Sequence, residues 1–153
     1  MNPSVRMIGD TIDGDVLIAA APDRVFEALI SPVELMQWWG SSESYVIVSA
    51  EVDRREGGSW IIEAEDVGGR TFSINAIISR FDPPCELHLN WSTSWAPDNI
   101  SSVEISLASE GDGTRLRLCH RGLGGSGTAG RDTHYWAWRS ILGWAQTNLP
   151  QLA

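Results

Sequence analysis

Between Tyr45 and Arg121 six runs of strand-forming residues are separated by five turns, and one long amphipathic helix follows. The runs are Tyr45 to Asp53, Ser59 to Glu65, Thr71 to Phe81, Glu86 to Ser94, Ile100 to Ala108 and Thr114 to Arg121. The turns between them are Glu56-Gly57-Gly58, Asp66-Val67-Gly68-Gly69, Asp82-Pro83-Pro84, Ala96-Pro97-Asp98-Asn99 and Glu110-Gly111-Asp112-Gly113. Turns this short join antiparallel neighbours. An earlier alternation at Val16, Ile18 and Ala20 supplies one more strand. From Thr133 to Leu149, Trp138, Ile141, Leu142, Ala145 and Leu149 fall on one helical face. A seven-stranded antiparallel sheet has an apolar face that must be covered, and this helix is the element long enough to do it. The expected architecture is α+β: a curved seven-stranded sheet wrapped around a long C-terminal helix. Residues 1–153 form one domain, with residues 1–10 a frayed N-terminal segment.

Two short helices are expected between the first strand and the second. They meet at Ser31-Pro32, and each begins with proline in its first turn, where the missing N–H costs no helical bond. Ser31 and Glu34 have the spacing of a capping box. The second helix ends in Trp38-Trp39-Gly40. Two adjacent indoles on a short helix point in different directions, so one is expected to plug the core and the other to reach a cavity mouth or a partner.

Strand parity sorts the remaining side chains. Trp60, Ile62 and Ala64; Phe72, Ile74, Ala76 and Ile78; Leu87, Leu89, Trp91 and Thr93; Val103, Ile105 and Leu107; and Leu116, Leu118 and His120 each share an inward face. Ile77 and Phe81 lie on the other face of their run, which points to a bulge there. A sheet curled around a helix need not be filled solid, and the space between is the natural pocket. Its expected lining is Trp38, Trp39, Trp60, Ile62, Phe72, Ile74, Trp91, His120, His134, Trp138 and Ile141. A drug-sized ligand needs a cavity of about 300 Å³ or more.

His120 is the inward polar residue of the last strand. It either orients or protonates a ligand's polar end, or is a structural histidine bonded to a carbonyl or near Trp138. His134, one helical turn before Trp138, either faces His120 across the cavity mouth or serves the helix start. His88, Glu63 and Glu65 lie on outward parities. Two histidines do not make a metal site, so neither metal nor cofactor is expected. There is no G-x-S-x-G elbow, and Gly122 to Gly130 lacks G-K-[ST]; that stretch is either a gate over the cavity or a surface loop.

The formal net charge is −9, and all eleven basic residues are arginine. So acidic a surface repels phosphate backbones, which excludes nucleic acid as a partner, and the absence of lysine removes Schiff-base chemistry. Cys85 and Cys119 show no framework spacing and suit free thiols in a reducing compartment. No apolar stretch approaches the ~20 residues of a membrane span, and the N-terminus lacks a secretory leader pattern, so a cytoplasmic location without membrane insertion is expected. Eight tryptophans are many for this length. Trp136 and Trp144 lie off the face that covers the sheet, and a weak homodimer through them is expected.

Several stretches carry a family resemblance. Ala21-Pro22 through Phe26, Ala28 and Leu29, then Pro32 and Trp38-Trp39-Gly40, form the first. Glu56-Gly57-Gly58-Ser59-Trp60 is the second, and Phe81-Asp82-Pro83-Pro84 through Leu87, Leu89 and Trp91 the third. Gly113-Thr114-Arg115-Leu116 with His120-Arg121-Gly122, then His134, Trp138 and Leu142, complete the set. In this order, over residues 14 to 149, they resemble the family named for the activator of the heat-shock protein 90 ATPase, within the START-like (SRPBCC) helix-grip superfamily. The resemblance implies binding of a small hydrophobic or aromatic molecule, lipid- or polyketide-like, between sheet and helix, with no assigned reaction. Its alternatives are a polyketide cyclase or dehydratase using His120 as acid–base, and a co-chaperone-type, stress-response domain that contacts a chaperone. The family's co-chaperone carries a preceding domain with no counterpart in these motifs, so ATPase stimulation by this chain alone is not expected. Ala137 stands where the family usually has glycine, which implies a tighter or relocated cavity.

Overall fold

The structure is a computed structural model describing residues 3–124 and 130–152. The eight strands are β1 (Ser4–Ile8), β2 (Thr11–Ile18), β3 (Tyr45–Val52), β4 (Ser59–Asp66), β5 (Thr71–Asp82), β6 (Glu86–Thr93), β7 (Ala96–Glu110) and β8 (Gly113–Arg121). They form one antiparallel sheet in the order β1-β2-β8-β7-β6-β5-β4-β3. Between β2 and β3 the chain forms α1 (Pro22–Ile30) and α2 (Pro32–Trp38), which carry it from one side of the sheet to the far edge. The long helix α3 (Arg131–Asn148) then lies in the concave face, buried through Trp138, Ile141, Leu142 and Ala145. A 3-10 turn, Leu149–Gln151, follows where Pro150 cannot continue the helix.

The α+β helix-grip architecture is as expected, with one strand more. Residues 4–8, expected to be frayed, pair with β2 from Ser4↔Asp15 to Ile8↔Thr11. Only Val5 of that strand is buried, so its apolar pattern is too thin to show in the sequence. A second difference concerns Ala96 to Asn99, expected as a turn. The reversal falls at Ser94-Trp95, Thr93 pairs with Ala96, and Pro97 to Ile100 bulge out before Trp91 meets Ser101. Pro97 has no N–H to give a ladder, and a bulge is where a strand tolerates that. The bulge expected in β5 lies between Ile78 and Arg80, and beyond it Phe81 turns to Phe26, ring centroids 5.6 Å apart.

The two-helix segment is held by indoles. Pro32 cannot donate to the Ala28 carbonyl four residues back, so the end of α1 lacks a backbone partner there. Trp38 Nε1 donates to that carbonyl at 2.8 Å, and Trp60 Nε1 donates to the Leu29 carbonyl at 2.9 Å. Ser31 Oγ accepts from the Glu34 N–H at 3.3 Å, which is half of the expected capping box; the Glu34 carboxylate instead pairs with Arg24 at 2.7 Å. Gly40, at φ 121°, closes the chain onto β3. A Cβ there would sit 2.5 Å from the Tyr45 carbonyl oxygen.

Candidate functional site

The concave interface divides into a filled part and an empty part. In the filled part, Trp39 lies 5.3 Å from Trp38, 5.6 Å from Trp60 and 6.2 Å from Trp138 between ring centroids. Trp91 stands 6.0 Å from Trp60 and 5.4 Å from Trp138, closing a five-indole cluster. Trp39 Nε1 donates to the Tyr45 hydroxyl at 3.1 Å, and burial pushes that phenol up to about 12. Both Trp38 and Trp39 are buried, and neither reaches the cavity. The expectation that one indole of the pair stands at a cavity mouth is therefore corrected: each finds its N–H acceptor inside the fold.

The empty part is a cavity of ≈220 Å³ between β3, β5, β6 and α3. Its walls are Tyr45, Phe72, Ile74, Trp91, Thr93 and Trp95 on the sheet side and Thr133, His134, Ala137, Trp138 and Ile141 on α3. Six residues expected from parity line it: Phe72, Ile74, Trp91, His134, Trp138 and Ile141. Trp38, Trp39, Trp60, Ile62 and His120 do not; they are packed in the core around it. Tyr45, Trp95 and Thr133 line it without having been expected, joined by Thr93 of the inward face of β6 and by Ala137, the residue expected to narrow the cavity. Tyr45 begins β3, its ring edge-on to Phe72 at 5.0 Å. Trp95 sits in the reversal that was placed two residues too late. Ala137, the departure from glycine, puts a methyl group into the wall, and the cavity is smaller than the ~300 Å³ of ordinary ligand pockets.

Two histidines border this region, and each accepts an indole N–H. Trp138 Nε1 donates to His120 Nδ1 at 2.9 Å, and His120 Nε2 lies 2.7 Å from Ser101 Oγ. Trp91 Nε1 donates to His134 Nε2 at 3.3 Å, while His134 Nδ1 donates to the Gly130 carbonyl at 3.0 Å. The rings are 4.9 Å apart, edge to face. His120 is fully buried, and burial, with His134 beside it, pushes its imidazole down to about 2. Burial also lowers His134, against the Gly130 carbonyl, which favours its charged form. A ring with both nitrogens engaged and no access to the cavity is unsuited to acid–base work. Among the described residues no three His, Cys, Asp or Glu stand close enough to share a metal ion.

The remaining expectations fall as follows. Trp144 is half-buried and packs edge-on to Tyr45 at 5.3 Å. Trp136 is 65% exposed, with Arg139 lying 5.8 Å over its ring. Of the glycine-rich stretch, residues 125–129 lie outside the described residues, and with them the gate reading. Both cysteines are free thiols; burial and Asp13 push Cys119 up to about 11, well away from thiolate reactivity. Among the described residues no helix is long and apolar enough to cross a membrane.

A curved antiparallel sheet gripping a C-terminal helix, with two short helices after the second strand, is the START-like helix-grip fold. The family model for activator of Hsp90 ATPase homolog 1-like proteins matches residues 19–148, and the chain belongs to that family. Similar solved structures include a protein of Rhodobacter sphaeroides at 17% identity and TM-score 0.80, covering 99% of this chain and 100% of that one. The AHSA1-like protein of Aeromonas hydrophila is 19% identical at TM-score 0.73, with 89% of each chain covered. DynU16, from the dynemicin biosynthetic locus, is 19% identical at TM-score 0.70, covering 91% of this chain and 46% of that one. At these identities the likeness is one of fold. No curated protein matches the chain.

Proposed function

We propose that the protein binds a small, uncharged aromatic molecule of one or two rings in the cavity between the sheet and α3. The observation that carries this is the cavity's lining: ≈220 Å³ walled by Phe72, Trp91, Trp95, Trp138 and aliphatic neighbours, with no charged side chain. A cavity of about 150 Å³ with apolar walls already accepts benzene. The volume argues against the lipid- and polyketide-sized ligands that the resemblance suggests. Burial against such walls contributes about 25 cal/mol per Å² of apolar area before ordering costs. The paired, buried state of His120 speaks against the cyclase reading, because both ring nitrogens are engaged inside the fold and the ring does not line the cavity. The chaperone-contact reading rests on the family description alone.

Intrinsic tryptophan fluorescence titrated with indole-free aromatics such as toluene and naphthalene tests the proposal. Saturable quenching is expected in the wild type. Ala137→Leu fills the cavity from α3 and is expected to abolish it without lowering the melting temperature. Quenching unchanged in that variant would place the ligand elsewhere.

A further inference from the structure

The hydrogen bonds beside the cavity run in one direction. An indole N–H only donates, so Trp138 makes His120 Nδ1 an acceptor. The neutral ring then carries its proton on Nε2, and Nε2 donates to Ser101 Oγ. Ser101 is left with its own proton to give. Its hydroxyl is 9% exposed as a residue, and among the described residues no second hydrogen bond from it is formed. It opens on a recess of ≈10 Å³ bordered by Thr93, Asn99, Gly122 and Gly124, room for one oxygen-sized atom. Trp91, Thr93 and His134 border both this recess and the apolar cavity. Two further donors at that wall are engaged, Trp91 Nε1 on His134 and His134 Nδ1 on the Gly130 carbonyl, while the Thr93 hydroxyl and the Asn99 amide border the recess beside Ser101.

We propose that the recess at Ser101 receives the carbonyl oxygen of the aromatic ligand, so that the ligand class is aryl ketones, aldehydes or quinones rather than plain hydrocarbons. This rests on the cavity reading above. Trp138 and His120 are positioning residues: His120 Nε2–H takes one lone pair of the serine oxygen and leaves the hydroxyl proton free to point into the recess. An anionic acceptor is disfavoured, because no cationic group lines either space.

Acetophenone and cumene have nearly the same shape and differ in the acceptor. Their affinities are read from the indole N–H resonances of ¹⁵N-labelled protein, and the bound ketone's carbonyl stretch is read by infrared. Acetophenone is expected to bind about three- to tenfold tighter than cumene, the worth of one net hydrogen bond. Its carbonyl stretch is expected to lie below its value in hexane. Ser101→Ala is expected to erase the preference and return the stretch to the hexane value while leaving cumene affinity unchanged. Ser101→Thr, which keeps the hydroxyl, is expected to retain both, and stands in if the alanine variant does not fold. Equal affinities with an unshifted carbonyl stretch in the wild type overturn the carbonyl assignment and leave the cavity reading standing. If neither probe moves an indole resonance at millimolar concentration, the cavity reading falls, and this inference with it.

Discussion

Buried tryptophan is the residue that organises this protein, through its single N–H as much as through its area. Each of the five clustered indoles spends that proton on a different acceptor: two carbonyls of α1, one phenol and two imidazoles. The two imidazoles that accept them are buried, and burial holds them neutral, which ties stability to pH. An unfolded histidine titrates near 6.5. His120 in the fold does not take its proton until about 2, so between these values the unfolded chain binds one proton more. Its contribution is complete above pH 6.5 and is lost as pH falls. Urea unfolding at pH 7.5 and 5.5 is expected to show a loss of about 1.4 kcal/mol from this residue. His134, also lowered, adds to the loss in the same direction. Histidine Hε1 shifts followed by NMR separate this from carboxylate effects. His120 titrating above pH 6 contradicts its buried, neutral state.

At the scale of elements, α3 carries a large apolar face with a weak spot. Gly143 lies mid-helix at an ordinary helical φ, and a Cβ there meets nothing within 4 Å. Glycine costs a helix roughly 0.5–1 kcal/mol relative to alanine through its unfolded-state freedom. Gly143→Ala is therefore expected to raise unfolding stability by about that much, measured by urea denaturation, with ligand affinity unchanged because Gly143 does not line the cavity. A decrease would mean that α3 meets something there outside the chain. By contrast, Gly113 in β8 cannot accept the same change, since its Cβ would lie 2.4 Å from the Ile18 carbonyl oxygen. The same element also sets the cavity: α3 supplies Ala137, Trp138 and Ile141 to one wall, and one methyl group at Ala137 decides how large a ring enters.

For the whole molecule, charge is the unbalanced quantity. The chain carries −9, and its arginines are mostly committed to local pairs, such as Arg54 with Glu27 and Arg115 with both Asp15 and Glu110. These exposed pairs add little individually, so the excess negative charge acts as general self-repulsion. Raising sodium chloride from about 10 to 500 mM shortens the Debye length from roughly 30 Å to a few ångströms. The melting temperature is expected to rise by a few degrees over that range, as a change of about 1 kcal/mol does for a domain this size. A falling melting temperature in differential scanning calorimetry would show that the ion pairs outweigh the repulsion.

How much of this was written in the sequence follows from which interactions are local. Strand parity placed the inward faces of β4 to β8, the Ile77–Phe81 conflict located the β5 bulge, and Ser31 with Glu34 marked the start of α2, because each depends on neighbours a few residues away. The family motifs depend on the same local patterns. The weak strand Ser4–Ile8 was illegible because its pairing, not its composition, holds it in the sheet. The reversal at Ser94-Trp95 was illegible because Pro97 looks like a turn until Thr93 and Ala96 are seen opposite each other. The site was half legible. Parity states which side chains point inward, and six of the eleven expected residues do line the cavity. It cannot state which inward side chains touch one another. Trp38 and Trp60 are drawn away to the bare carbonyls of α1, and His120 is drawn between Trp138 and Ser101. Those contacts join residues 10 to 31 positions apart, so only the closed tertiary structure decides where the indoles crowd together and where they leave a space.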